Sequence, residues 1–418
     1  MKKLFLILYL TLILPSIYAA RTYIPEDYPT IQAGIDAVPE GDTILISGGT
    51  YTGPGNVDLT FNGKNLVVMT RGGFQNVTID CNGTPEDPHV AFIFDNNETS
   101  ASKIIGLRII NAYRPGFSGA CTFLHGSATL SDCIIENNQI SGIIFTNWST
   151  PGVVHNCEIR NNTGSGIGYT PSEITISSCQ IINNSGSGII SGGNVTLQSS
   201  VVAYNNDYGL FNANASTQQV NINNCTFAFN NIALHYETEL PKSNILATGD
   251  ISNTIFAFNQ TGIVSIMTTV DLACSDFYGN TVNDLEGVDP AILTMNGNFS
   301  ADPLFCDTVT QFLHLTSGSP CLADGNSCLE SVGALGWHEC ACCKGIRGNI
   351  DYDPNDTIDI SDLVALVQYM FSGGPGPACE VEADIDDDGM WGIGDVVYLV
   401  NYMFVPGSPP PLPCPYII

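Results

Sequence analysis

Positive charge is what this sequence has least of. Its 418 residues hold 12 Lys and Arg against 41 Asp and Glu, a formal net charge of −29. A nucleic-acid binder is excluded, because neutralising phosphates takes clustered basic side chains. The same shortage argues against an anionic membrane surface as partner. Long apolar runs are missing after the first twenty residues, so no later stretch suits a bilayer crossing. Charged residues are only 13% of the chain while 44% is hydrophobic, a balance that excludes disorder. What remains is a folded protein whose acids serve solubility or a specific purpose.

Residues 1–20 read as an export signal. Lys2 and Lys3 open it, Leu4 to Leu14 form an apolar stretch too short for a stable span, and Pro15 breaks it. Cleavage is expected after Ala19 or Ala20, giving a soluble exported protein. Export permits disulfides, and there are 15 cysteines. Cys133, Cys157, Cys179 and Cys225 recur at one position of a repeat and read as small buried residues. Cys306, Cys321, Cys328, Cys340, Cys342, Cys343, Cys379 and Cys414 crowd the last third and read as disulfide candidates. Cys321 and Cys328 are close enough for a small loop. The odd total leaves at least one thiol unpaired, and the connectivity stays open. Zinc at 340–343 is the less favoured alternative, because no His/Cys pair stands at finger spacing.

An internal repeat organises residues 100–280. Cys133-Ile-Ile-Glu-Asn-Asn, Cys157-Glu-Ile-Arg-Asn-Asn and Cys179-Gln-Ile-Ile-Asn-Asn are each followed by glycine, at Gly142, Gly166 and Gly188. Weaker copies start at Ser200, Cys225, Thr254 and Ser275, carrying Asn205, Asn230, Asn259 and Asn280. Within a copy the apolar residues alternate, as in Cys157 and Ile159, which is a strand period. One copy cannot bury its apolar face alone, but stacked copies can. The recurring Asn is expected to stack as an amide ladder. These features describe a parallel β-helix.

Residues 27–52 read as a cap over the open end, which would otherwise pair with other chains. Thr30 can N-cap a short helix with Ile31, Ile35 and Val38 on one side, ended by Pro39 and Gly41. Thr43-Ile-Leu-Ile-Ser reads as the first strand. This segment and the repeat resemble the right-handed parallel β-helix proteins of the pectate-lyase type, over roughly residues 22–300. The fold class is thus mainly β: a solenoid over 21–300 with an N-terminal helical cap, then a closing coil and linker over 301–345.

Residues 346–414 change character. Between Asn349 and Asp395 there are twelve acids and no Lys or Arg. Asp351, Asp353, Asp362, Tyr369, Met370 and Phe371 match Asp384, Asp386, Asp395, Tyr402, Met403 and Phe404 at a constant step of 33. A hard cation such as Ca²⁺ takes six to eight oxygens, supplied from alternate loop positions. The second loop offers Asp384, Asp386, Asp388, the Met390 carbonyl and Asp395, with Gly389 at the sharp turn. The first loop in gapless register offers Asp351, Asp353, Asn355, the Thr357 carbonyl, Asp359 and Asp362. A register starting at Asn349 with a two-residue insertion is the alternative. Two such loops, each followed by an apolar helix, resemble a type I dockerin module. The resemblance implies a calcium-folded unit that plugs into a cohesin-like partner, with Ile360-Ser361 and Ile393-Gly394 at positions that contribute to partner choice. A calcium-clipped terminal domain without a partner is the plainer alternative.

Catalytic candidates are sparse. Glu136 and Arg160 are expected in one outward column on adjacent coils, about 4.8 Å apart, with Glu158 on the same face. A carbohydrate-facing acid–Arg pair and an ordinary ion pair both fit, the latter more simply. His235, Glu237 and Glu239 are read as part of an irregular insertion beside the solenoid. His155 is read as a corner residue, and Tyr204, Tyr208, Phe211 and Trp148 as sugar-stacking candidates. The signature motifs of polygalacturonases and of the Arg-centred pectate lyases are absent. Two expectations stand: a polysaccharide-binding or polysaccharide-degrading protein (lyase or hydrolase), and a non-catalytic surface or adhesion component.

Overall fold

The computed structural model describes residues 21–412 except 73–75, 117, 147–150, 171–172, 214–218, 238–247, 267–268, 309–310, 339–345, 352–357, 373–379, 387–391 and 406. Several expectations lie outside these residues: the export signal, Trp148, Glu239, Cys340, Cys342, Cys343, Cys379 and Cys414. So do Asp353, Asn355, Thr357, Asp388, Gly389 and Met390 of the acidic loops.

The chain winds as a parallel β-helix of three sheets, with eleven, ten and ten strands among the described residues. One coil shows the plan. Gly152–His155 lies in the first sheet, Glu158–Arg160 in the second and Ile167–Thr170 in the third. Each strand pairs in parallel with its counterpart one coil on. Left-handed residues turn the corners on either side of the short second strand, here Asn156 (φ 49°) and Asn161 (φ 55°). Asparagine takes that conformation at little cost, which explains its recurrence.

The asparagine five residues after the start of each repeat copy builds the ladder. Asn138, Asn162, Asn184, Asn205, Asn230 and Asn259 each hand an Nδ2–H to the Oδ1 of the next coil's amide at 2.9–3.2 Å, and the run ends on Asn280. All but Asn280 are buried. The repeat glycine follows from packing: a Cβ on Gly166 would lie 2.8 Å from the Gly188 carbonyl and 3.0 Å from Asn184 Nδ2. Cys133, Cys157, Cys179 and Cys225 are free thiols buried to 1% exposure or less, as expected of small apolar residues. Phe227, Phe256 and Phe277 stack inside the same coils at 5.4 and 4.9 Å.

The cap matches its sequence signature. Thr30 accepts from the Ala33 amide at 3.3 Å and opens the helix Ile31–Ala37, which buries Ile31 and Ile35. The first strand, however, is Arg21–Ile24, and Thr43–Ile46 pairs beside it as the second. Alternation of Thr22 and Ile24 inward extends the sheet one coil earlier than expected.

The stretch after residue 300 divides. Gly318–Gly336 belongs to the compact unit of the solenoid, whereas Phe305–Ser317 and residues from Trp337 onward form a second unit. The former segment straps the second sheet. Gly333 donates to the Asn253 carbonyl at 2.8 Å, and Ala334 donates to Thr226 Oγ1 at 3.0 Å. Cys328 is joined to Cys274, not to Cys321, which is a buried free thiol. The small-loop pairing fails because Cys321 turns inward beside Asp276, while Cys274 occupies a left-handed corner (φ 50°) facing the strap. Cys306 is also disulfide-bonded.

In the second unit, helices Ile360–Ser372 and Ile393–Phe404 share a small core of Ile350, Leu366, Ala383, Ile385 and Leu399. Among the described residues no helix is long and apolar enough to cross a membrane.

Candidate functional site

The outward column of the second sheet brings Glu136 opposite Arg160, as the repeat predicts. Glu136 Oε2 accepts from Arg160 Nε at 2.9 Å, and Oε1 accepts from Arg108 Nε at 2.6 Å. Glu158 pairs with Arg160 Nη1 at 2.9 Å. Burial raises the Glu136 carboxyl pKa, but hydrogen bonds and charge from Arg160 and Arg108 outweigh it and hold it below the usual range. The arrangement is a satisfied clamp across three coils, not a free acid–base pair. Arg108 is the member that the sequence reading missed. Its coil, Leu107-Arg-Ile-Ile-Asn-Ala, has lost both the cysteine and the ladder asparagine that mark the repeat.

His235 and Glu237 lie on a regular strand, Ile232–Glu237 of the third sheet, rather than in an irregular insertion. That strand pairs in register with Tyr208–Ala213 on one side and Thr261–Ile266 on the other. The His235 imidazole meets the edges of Tyr208 and Phe211, at 5.1 and 5.2 Å between centroids. Its Nε2 stands 4.0 Å from Glu237 Oε2. Neither ring nitrogen has a hydrogen-bond partner among the described residues. Burial holds its pKa below the ordinary histidine value, against the opposing pull of Glu237 and Glu286. Here a neutral imidazole, a carboxylate and two aromatic rings share one face. His155 bonds Ser177 Oγ at 2.9 Å at its corner.

The acidic loops hold the third cluster. Asp395 Oδ1 accepts from the amides of Ile385 (2.6 Å) and Asp386 (3.2 Å), and Oδ2 from Gly392. Asp362 accepts in parallel from Asp351 (3.1 Å) and Asp359 (2.8 Å). Asp362 and Asp395 are both buried. Burial raises the Asp362 pKa, opposed by those amides. The hydrogen bonds fix the register of the duplication. Asp351 corresponds to Asp386, and the buried Ile350 to Ile385, so the first loop begins at Asn349 and carries two extra residues. The gapless match of Asp351 with Asp384 is therefore corrected; the helices keep step 33, and the loop absorbs the insertion.

Carboxylate oxygens of Asp384, Asp386 and Asp395 lie within 4.8 Å of one another. An all-oxygen donor set of this kind fits a hard cation. A Cβ on Gly394 would stand 2.8 Å from Asp386 Oδ2, so glycine there leaves room for that carboxylate. Arg347, itself buried, donates to Asp384 Oδ2 at 2.9 Å and orients it. The helices that follow leave matching residues in solvent. Ile360, Val364 and Phe371, and Ile393, Val397 and Phe404, are each 46–66% exposed.

A fourth feature is the corner after the second sheet. Tyr204 (φ 57°), Phe229 (φ 57°) and Phe258 (φ 57°) take the left-handed place that Asn111, Asn137, Asn161 and Asn183 hold in earlier coils. Their rings stack at 4.6 and 5.0 Å. The left-handed backbone costs each about 1–2 kcal/mol, and stacking returns about 0.5–1.5 kcal/mol per pair.

A family model described as right handed beta helix region matches residues 41–227 and 125–282, more than half of the chain. Among solved structures, pectate lyase Pel9A matches with a TM-score of 0.58 at 16% identity, covering 77% of this chain and 98% of its own. The A-module of an Azotobacter vinelandii mannuronan C-5 epimerase gives 0.36 at 17% identity, covering 65% and 94%. A rhamnogalacturonan lyase gives 0.35 at 12%, covering 59% and 68%. No curated protein sequence matches.

Proposed function

The chain belongs to the right-handed β-helix family, and from that premise we propose that it is an exported, carbohydrate-directed β-helix carried on a calcium-dependent docking module. The solenoid supplies a long, regular surface of the kind on which Pel9A, named a pectate lyase, is built. The sequence of residues 1–20 supports export.

One observation carries the docking half of the reading. Two pseudo-equivalent helices, each rooted in an acidic loop, expose the same apolar residues at the same positions. Exposed large side chains in register on twin helices mark a contact surface, not a solvated face. A cohesin-like domain is the partner that this dockerin-like arrangement would take. When bound, Ca²⁺ would neutralise the crowded carboxylates of Asp384, Asp386 and Asp395 and, in the first loop, those of Asp351, Asp359 and Asp362. The chain's own contribution is to aim those oxygens through backbone amides and Arg347.

A second reading, a non-catalytic surface or adhesion β-helix, is favoured by the Glu136 clamp, whose carboxylate is already engaged by two guanidinium groups. Turnover on a glycan panel, followed by reducing ends and by ultraviolet absorbance of unsaturated products, separates the two.

The docking half is tested on the full-length protein. Calorimetric calcium titration is expected to show binding, and immobilised cohesin domains are expected to capture the protein with calcium but not with chelator. Val364→Arg with Val397→Arg should abolish capture and leave calcium binding intact. Capture and fold that ignore calcium would overturn the reading.

A further inference from the structure

We infer that the corner groove along Tyr204, Phe229 and Phe258 binds an uncharged polysaccharide chain. This rests on the carbohydrate reading of the solenoid and names the class of glycan.

The argument begins with a local rule that is broken three times. Four successive coils place asparagine at the left-handed corner, and the next three place an aromatic ring there. A bulky residue in that conformation is a conformational outlier, and outliers cluster at functional sites. The three rings are half-buried and line a groove of about 490 Å³.

Beside the rings runs a polar column, one residue past the amide ladder: Asn206, Asn231 and Gln260, ending at Thr281. Backbone amides fix its spacing, with Asn206 donating to the Asn184 carbonyl and Thr281 to the Asn259 carbonyl. The ladder asparagines spend their amides on one another. In contrast, none of these four outer side chains makes a hydrogen bond to another described residue, which leaves amide and hydroxyl groups for a ligand's hydroxyls. Aromatic edges beside repeated neutral donors and acceptors, stepped about 4.8 Å per coil, suit a linear polymer of hydroxyl-rich units better than a single small molecule.

Charge selects among polymers. On a chain of net charge −29, no charged side chain lines this groove. Asp207 follows Asn206 in the chain and is exposed, yet it is not among the lining residues. A polyuronate would meet a repulsive field with no Lys or Arg in the groove to offset it. An uncharged glycan meets no such field.

The experiment uses the full-length protein and calorimetry with hexasaccharides of cellulose, xylan and mannan, against oligogalacturonate and oligomannuronate. At least one neutral hexasaccharide should bind, and the uronates should not. Phe229→Asn installs the residue that earlier coils use at this corner, so the fold is retained while the ring is lost. Gln260→Glu adds one exposed charge and leaves the core untouched. Each should weaken neutral binding at least tenfold at unchanged melting temperature. Neutral binding indifferent to both variants, or uronate binding in its place, would overturn the groove assignment and leave the carbohydrate reading standing. No binding of either glycan class would remove both.

Discussion

Gly392 donates its amide to Asp395 Oδ2 as Asp359 donates to Asp362 Oδ2, thirty-three residues earlier in the chain. Each buried carboxylate closes its loop onto the start of the helix behind it. Asp395→Ala would leave the Ile385, Asp386 and Gly392 amides without their acceptor. At about 1–3 kcal/mol per orphaned buried donor, a loss of ~3 kcal/mol or more is expected for the second unit. Asp395→Asn should lose less, because it retains one acceptor oxygen. Denaturant unfolding followed by the helical circular-dichroism signal, in calcium and in chelator, reads both.

The amide ladder predicts a position-dependent cost. Asn184 donates to the Ile159 carbonyl at 3.0 Å and to Asn205 Oδ1 at 3.1 Å, and accepts from Asn162 Nδ2 at 3.0 Å. Asn184→Ala should destabilise the solenoid by about 2–4 kcal/mol, the cost of several buried groups losing partners. Asn280→Ala, at the half-exposed end of the ladder, should cost less than half as much. Equal costs in chemical denaturation would contradict a cooperative ladder.

Asp276 gives the solenoid a pH dependence opposite to that of an ion-paired acid. Burial raises its pKa to about 7, with the Ala301 amide and the Cys321 thiol pulling the other way. Between its ordinary value near 3.8 and about 7 the folded state holds more protons than the unfolded state. Stability from this group is therefore full in acid and falls as pH rises through that window, by at most about 1.4 kcal/mol per pH unit. Asp276→Asn keeps the acceptor for Ala301 and cannot ionise. It should flatten the melting temperature between pH 4 and 8 and be the more stable protein at pH 8. A variant that tracks the parent across that range would remove Asp276 as the cause.

Much of this was legible because stacking repeats a local rule many times. The Asn-Asn pair announces both a left-handed corner and a ladder rung, and the alternation around Cys157 and Ile159 gives the strand and its inner face. Glu136 against Arg160 followed from the same register. Legibility failed where a coil departs from the repeat. Arg108 sits in a coil without its marker residues. Cys274 stands in a corner column otherwise held by Asp132, Asn156, Ser178, Ser199, Asn224 and Asn253, and a cysteine at such a place was the available sign of a cross-link. The first acidic loop misled because its helix keeps a strict step while its loop does not. The buried pair Ile350 and Ile385 carries the register that starts at Asn349, the alternative that the acids alone leave open. Of the aromatic corner only Tyr204 stands out in the sequence; Phe229 and Phe258 share its left-handed place, which composition does not reveal.

The link from Cys274 to Cys328 also decides where a load would travel. Tension drawn along the chain from Trp337 first meets the hydrogen bonds of Ala334 and Gly333, then the covalent link, and passes through it to residue 274. The stretch between the two cysteines, which stand fifty-four positions apart, is bypassed. A pull applied to the chain at Trp337 would thus enter the coils at their outer flank, at residue 274, rather than through the strand Asp276–Tyr278.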